Sequence, residues 1–183
     1  AAVVIADTQG LGAVTMRSVA AAVGVSAAGL YRYIASRDEL VGHMVDRLSA
    51  EVAHPEPTGD WVADLTEVAE HQVRVFRAHP WMTGAVGSLT HLGPHVLDHL
   101  EWGLDVLRDV EVTVNRKLEA IALVNGFAAL FAGSSQPGPD AFAQLDPRRQ
   151  PQLSAALSSA TSIDPTDDFF RRVVAGLLRS LLG

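Results

Sequence analysis

Apolar residues recur along this chain at three- and four-residue spacing, and no alternating run of β-branched residues persists. That period gathers side chains on one face of a helix, so the sequence predicts an all-α fold. Glycine and proline supply the punctuation. Gly10 and Gly12 stop a first helix over residues 1–9, which opens without a cap and so implies residues ahead of Ala1. Thr15 caps a helix to about Val23, Gly24 provides a left-handed stop, and Ser26 caps a helix from Ala27 to Ile34. Ser36 and Glu39 have capping-box spacing and open a helix that runs towards Ala53. His54-Pro55-Glu56-Pro57-Thr58-Gly59 cannot be helical and marks a boundary, giving one domain over residues 1–50 and another over 51–183. In the second domain, Asp60 caps a long helix to about His79, which Pro80 halts. A short helix over Trp81 to Leu89 follows, then one from Gly93-Pro94 to near Arg108 and a strongly apolar one from Thr113 to about Ala132. Residues 134–166 read as a connection with one short helix near Gln152 to Ser159, ahead of a last helix from Asp167 to Leu182.

Composition narrows what such a chain can do. It contains 0 cysteines, which excludes a disulfide framework, a thiol nucleophile and a thiolate zinc site. No apolar run is long enough to cross a membrane, and the first residues lack a signal-peptide pattern, so a soluble, cytoplasmic chain with no membrane partner is expected. The formal net charge is −7, yet it is unevenly spread. In residues 1–50, Arg17, Arg32, Arg37 and Arg47 balance Asp7, Asp38, Glu39 and Asp46, so the whole excess of acid lies beyond them. An anionic partner therefore belongs to the first fifty residues.

Two short helices joined by a tight glycine turn, the second capped by Ser26, match a helix-turn-helix. Val19, Ala20, Val23, Val25 and Leu30 are spaced to fill the core between them, with Ala20 small where the helices cross. Ser26 leaves first-turn amides pointing outward, where a phosphate can accept from them. The fuller string is more specific: Gly12-x-x-Thr15-Met16-Arg17-x-Val19-Ala20, then Gly24-Val25-Ser26-x-x-x-Leu30-Tyr31-x-Tyr33-x-x-x-Arg37-x-x-Leu40. It closely resembles the DNA-binding region of the tetracycline-repressor (TetR) family over residues 3–48. The resemblance implies an N-terminal three-helix reading head and a C-terminal helical ligand-binding and dimerisation domain. It also implies a homodimeric transcriptional regulator, usually a repressor released from operator DNA by a small molecule.

Carried onto this sequence, the resemblance gives Thr15 a cap and a phosphate contact, and Arg17 a phosphate or base edge. Ser26, Ala27, Ala28 and Gly29 would line the start of the recognition helix in the major groove. Tyr31 and Tyr33 would give hydroxyls to phosphates, Arg32 would face groove or backbone, and Arg37 would anchor a phosphate. Ala27-Ala28-Gly29 is poorer in base-reading groups than other members have, since small side chains meet thymine methyls but offer no bidentate pairing. Specificity is then expected from Arg17, Arg32 and DNA shape.

The second domain mixes polar groups into apolar stripes. Asn125 lies among Leu118, Ile121, Val124, Ala128 and Phe131, while His71 and Gln72 interrupt the stripe of Trp61, Leu65, Val68, Val75 and Phe76. Together with Trp81, Trp102 and Phe127 this is what a ligand cavity requires, and the candidate ligand set is His71, Phe76, Trp81, His95, His99, Trp102 and Asn125. A helix-bundle core with satisfied polar residues is the plainer alternative. His91, His95 and His99 have ligand-compatible spacing, but no second cluster completes a metal site, so neither metal nor cofactor is expected. No nucleophile–base arrangement or glycine-rich phosphate loop is present, so the chain does not read as an enzyme. The competing reading is a small helical enzyme or ligand carrier that uses the 60–183 cavity. Lastly, Phe170, Val174, Leu177 and Leu181 form an apolar stripe that Phe169, Val173 and Leu182 widen beyond one contact. With Leu123, Phe127 and Leu130 on the helix from Thr113, it would close an intermolecular four-helix bundle, and the family resemblance points to the same two helices as the dimer interface.

Overall fold

A computed structural model describes residues 1–134, 139–159 and 167–183 of the chain. Local capping chemistry sets most helix starts. Helix α1 (Ala2–Gln9) ends at Gly10, and α2 (Met16–Ala22) begins at Thr15. Thr15 Oγ1 accepts from the Ser18 N–H at 3.0 Å, and Ser18 Oγ accepts from the Thr15 N–H at 2.9 Å. This reciprocal pair satisfies two donors that the helix itself cannot. Gly24, with φ of 73°, turns the chain into α3 (Ala27–Leu30), where Ser26 Oγ accepts from the Gly29 N–H at 3.0 Å. Helix α3 is one turn long rather than running to Ile34; the chain continues through turns closed by Tyr33 N–H and Ile34 N–H on the Leu30 carbonyl. Ser36 caps α4 (Arg37–Ser49), while the Glu39 carboxylate accepts from Ala35 N–H instead of closing a box on Ser36.

The second half is built from α5 (Trp61–Ala78), α6 (Met82–Ala85), α7 (Pro94–Val106), α8 (Val114–Gly133), α9 (Pro151–Ser159) and α10 (Asp167–Leu182). The expected connection over 134–166 falls partly on 135–138 and 160–166, which lie outside the described residues. Helices α5, α8 and α10 pack against one another around Leu65, Ile121, Phe170, Val174 and Leu178. Lys117 of α8 is buried, and its ammonium donates to the Leu107 and Arg108 carbonyls at the end of α7, where carbonyls run out of helical partners. No helix among the described residues is long and apolar enough to cross a membrane.

Helix α4 belongs to two cores. Leu40 and Met44 pack with Ile5, Val14, Met16 and Val19 in a small head core. Val41, Val45 and Leu48, on the adjoining face, pack into the body. One rigid element therefore carries the base of the helix-turn-helix and a wall of the body.

Candidate DNA-binding face and ligand cavity

The helix-turn-helix core is smaller than its sequence suggests. Val19 and Ala20 are buried and Leu30 half-buried, but Val23 and Val25 are exposed, because the Gly24 turn rolls both outward. Arg17, Ser26, Ala28, Tyr31, Arg32 and Tyr33 are exposed around α2 and α3, with Thr15 exposed at the cap and Ala27 and Gly29 half-buried behind them. Arg37 does not join this face as a free phosphate anchor. Its Nε donates to the Val14 carbonyl and its Nη2 to the Leu11 carbonyl, both at 2.8 Å. The guanidinium fastens the start of α4 to the turn ahead of α2, so its role is to hold the head together.

Between α4, α5, α7 and α8 lies a cavity of about 390 Å³. Of the residues expected to line it, Phe76, His99 and Asn125 do. Four do not. His71 faces an outer groove beside Glu70 and Arg74, because adjacent helical positions lie about 100° apart and its neighbour Gln72 takes the inward one. His95 is exposed at the first turn of α7. The indole of Trp81 donates to Asp7 Oδ1 at 2.7 Å, and His79 Nδ1 meets the same oxygen at 2.8 Å, so this pair straps α1 to the body. Trp102 donates to the Pro55 carbonyl at 2.8 Å and packs on His54 with ring centroids 5.4 Å apart, sealing the 54–59 loop over α7. The sequence points to aromatic walls; the cavity is lined mainly by aliphatic residues, among them Val45, Val75, Leu89, Val96 and Leu100, which the candidate set lacks.

Its polar groups gather on one wall. His99 Nε2 lies 3.2 Å from Asn125 Oδ1 and 3.2 Å from Gln72 Nε2, and His99 Nδ1 lies 2.8 Å from His54 Nε2. Burial lowers the His99 pKa below its ordinary value, against a smaller raising effect of the Asn125 hydrogen bond, so the ring is neutral near pH 7. Burial and the neighbouring His99 lower His54 likewise, with Asp98 opposing. Among the described residues, neither Asp, Glu, Lys nor Arg lines the cavity.

Two contacts connect the cavity to α4. Val45 and Ser49 of α4 form part of its wall. Asp46, between them in sequence and 8% exposed, accepts from the His95 and Val96 N–H groups at 2.9 and 3.1 Å. A residue fifty positions earlier thus caps α7. Gly93 permits the approach, since a Cβ there would collide with the Asp46 carboxyl group.

The outward face of α8 and α10 is apolar in part. Leu123 is exposed and Leu130 is 70% exposed, with Phe169 also exposed, Phe127 half-buried and Leu177 and Leu181 at the edge. Phe170 and Val174, expected at an intermolecular interface, are 1% and 0% exposed within this chain. Phe170 stacks on Phe127 with centroids 5.4 Å apart. The inward stripe of α10 follows the i, i+4 row of Phe170, Val174, Leu178 and Leu182 rather than the row through Leu177 and Leu181.

Residues 1–44 match the family described as "Bacterial regulatory proteins, tetR family", and residues 54–181 match "Tetracyclin repressor-like, C-terminal domain". The chain belongs to the TetR family. Its fold is correspondingly close to apo ActR from Streptomyces coelicolor, with a TM-score of 0.83, 28% identity and coverage of 98% of this chain and 92% of that one. It is as close to ActR in complex with actinorhodin, with a TM-score of 0.82, 27% identity and coverage of 99% and 92%. Among curated relatives, the HTH-type transcriptional repressor DrrR1 of Streptomyces coeruleorubidus is 36% identical over 129 residues, 69% of this chain and 48% of that protein. An HTH-type transcriptional regulator of Saccharopolyspora erythraea is 27% identical over 56% of this chain and 44% of its own length. The chain spans about half the length of the curated relatives it matches. Family and relatives are transcriptional regulators, not enzymes.

Proposed function

We propose that this TetR-family chain is a ligand-responsive repressor: it binds operator DNA as a homodimer through residues 1–50, and a small, largely apolar molecule in the 51–183 domain releases it. The observation that carries this reading is the double membership of α4, whose Leu40 and Met44 support the head core while Val45 and Ser49 line the cavity. A bound ligand acts at a distance only by favouring one of two arrangements. Here it acts on the helix that aims the head. Recognition helices of a dimer must lie about one DNA turn apart, roughly 34–36 Å, to enter successive major grooves. Tilting α4 changes that separation in both halves at once. A coupling of ~1–3 kcal/mol lowers operator affinity about 5- to 150-fold. The likeness to ActR, solved in complex with actinorhodin, supports a small-molecule effector.

In this reading Arg17, Ser26, Ala28, Tyr31, Arg32 and Tyr33 meet DNA, with Thr15 at the phosphate backbone, while Ala27 and Gly29 let α3 approach the groove. The dimer forms across Leu123, Phe127, Leu130, Leu177 and Leu181, joined by Phe169. The test begins with genomic fragments retained by the protein, followed by a screen of apolar metabolites for release. Val96→Phe fills the cavity and Asn125→Leu removes a polar anchor. Both should bind the operator as the parent does and lose release by the best hit. Unchanged release in both removes the cavity from the mechanism.

A further inference from the structure

The chain passes from head to body once, through α4, and a domain carried on a single helix can still turn about that helix's axis. Val3, Leu11 and Trp81 border both cores, but apolar contact has no preferred direction and resists separation more than rotation. A hydrogen bond differs, because it weakens steeply as its angle departs from linear. Such a bond stands away from α4. Asp7 Oδ1, on α1, accepts from the Trp81 indole N–H at 2.7 Å and lies 2.8 Å from His79 Nδ1. An indole N–H only donates and a carboxylate only accepts, so the Trp81 bond has one reading. The His79 and Asp7 side chains are 16% and 27% exposed, so water competes for the strap only in part.

Both ends of the strap are firm. Ile5 and Ala6, beside Asp7, are buried in the head core. On the other side, the His79 N–H closes α5 on the Val75 carbonyl, and Met82, next to Trp81, is buried in the body core. Burial does not demand this bond, since Trp81 is half-buried and its N–H bond lies at the surface, where water could replace Asp7. What water could not supply is an angle between α1 and the α5–α6 junction. That angle decides where α3 points. Adding one base pair between half-sites moves the second by about 3.4 Å and turns it by about 34–36°. We propose that Asp7 is a positioning residue for operator reading: by tying α1 to the α5–α6 junction it holds each head at one angle and restricts the dimer to one half-site spacing. The proposal rests on operator binding by a dimer.

The test uses an operator recovered from retained genomic fragments, together with copies carrying one base pair added or removed between its half-sites. Fluorescence anisotropy on the full chain gives the affinity for each. The parent should bind the altered spacings at least tenfold more weakly, since one half then loses its contacts. Asp7→Ala and the charge-neutral Trp81→Phe should each cut that penalty to threefold or less while binding the natural operator more weakly. Asp7→Asn keeps an acceptor for the indole and should retain most of the penalty. A role in stability alone would lower affinity for all three spacings together and leave their ratio unchanged, which overturns the proposal. If Asp7→Ala loses native helicity, Trp81→Phe decides by the same ratio. Equal affinity of the parent for all three spacings overturns the gauge and leaves operator binding standing. If the parent of native helicity retains no fragment, or sediments on its operator as a monomer, the dimeric reading falls and the proposal with it.

Discussion

Replacing Asp46 by alanine should detach the cavity wall from the helix that carries the reading head. Asp46 Oδ1 takes the N–H groups of His95 and Val96, and Pro94 ahead of them has none to offer, so one carboxylate oxygen serves the first turn of α7. Removing a cap costs about 0.5–2 kcal/mol, and a carboxylate at a partly buried helix N-terminus contributes up to ~2 kcal/mol. These are two views of one interaction, so they overlap instead of adding, and the expected loss is about 1–2 kcal/mol. For a chain of this size that is roughly 2–8 °C in melting temperature. Asp46→Asn keeps an acceptor and loses the charge, so it should fall between. Gly93→Ala should mimic Asp46→Ala, because the new Cβ has to displace the carboxyl group. Urea unfolding followed by far-ultraviolet circular dichroism measures the stability, and fluorescence anisotropy on the operator measures the response. The second measurement distinguishes a brace from a lever. If α7 drives α4 through this cap, Asp46→Ala binds the operator but needs several-fold more effector for release. Stability within ~0.3 kcal/mol of the parent would refute the cap, and a lost cap with an unchanged effector response would refute the lever.

Other expectations follow from the same geometry. Arg37→Ala should destabilise the head by about 1–3 kcal/mol, by orphaning two carbonyls, without lowering the salt slope of DNA binding. Arg17→Ala should instead either lower that slope by about one unit or erode operator discrimination by ~1–3 kcal/mol, which competition with random DNA separates. Leu130→Glu should leave the monomer fold intact, since the residue is 70% exposed in the chain, and should shift sedimentation at micromolar concentration to the monomer. Acid should weaken the body: His99 has a folded-state pKa below 6.5, so the unfolded chain binds the extra proton and stability falls as pH drops below about 6.5, while remaining flat above it. Melting temperatures at pH 7.5 and 5.5 should therefore differ less for His99→Gln than for the parent; an equal difference would place the titrating group elsewhere.

What the sequence revealed is what local chemistry decides. Thr15, Ser26, Ser36 and Asp60 all cap the helices their neighbours open, because a cap needs only a side chain and an amide three residues on. Phe76, His99 and Asn125 were visible as cavity residues because helical period fixed the face they share with apolar neighbours. Period alone does not rank the two apolar rows of α10, so the sequence places Phe170 and Val174 at the dimer interface although they fill the core. Nor could it show partners far along the chain: Asp7 for Trp81, Val14 and Leu11 for Arg37, and α7 for Asp46. Each of these polar groups looks from its own helix like an ordinary solvated position. The structure separates them by what they meet once buried. Asp46, Lys117 and Asp64 are each absorbed by backbone groups of another segment, with the Thr58 hydroxyl added for Asp64. Their burial is thereby explained within the fold. Gln72 is equally buried and its amide nitrogen lies 3.2 Å from His99 Nε2, while its Oε1 is the one buried side-chain polar atom among the described residues without a partner. A buried polar residue whose partners are complete within the fold argues for architecture.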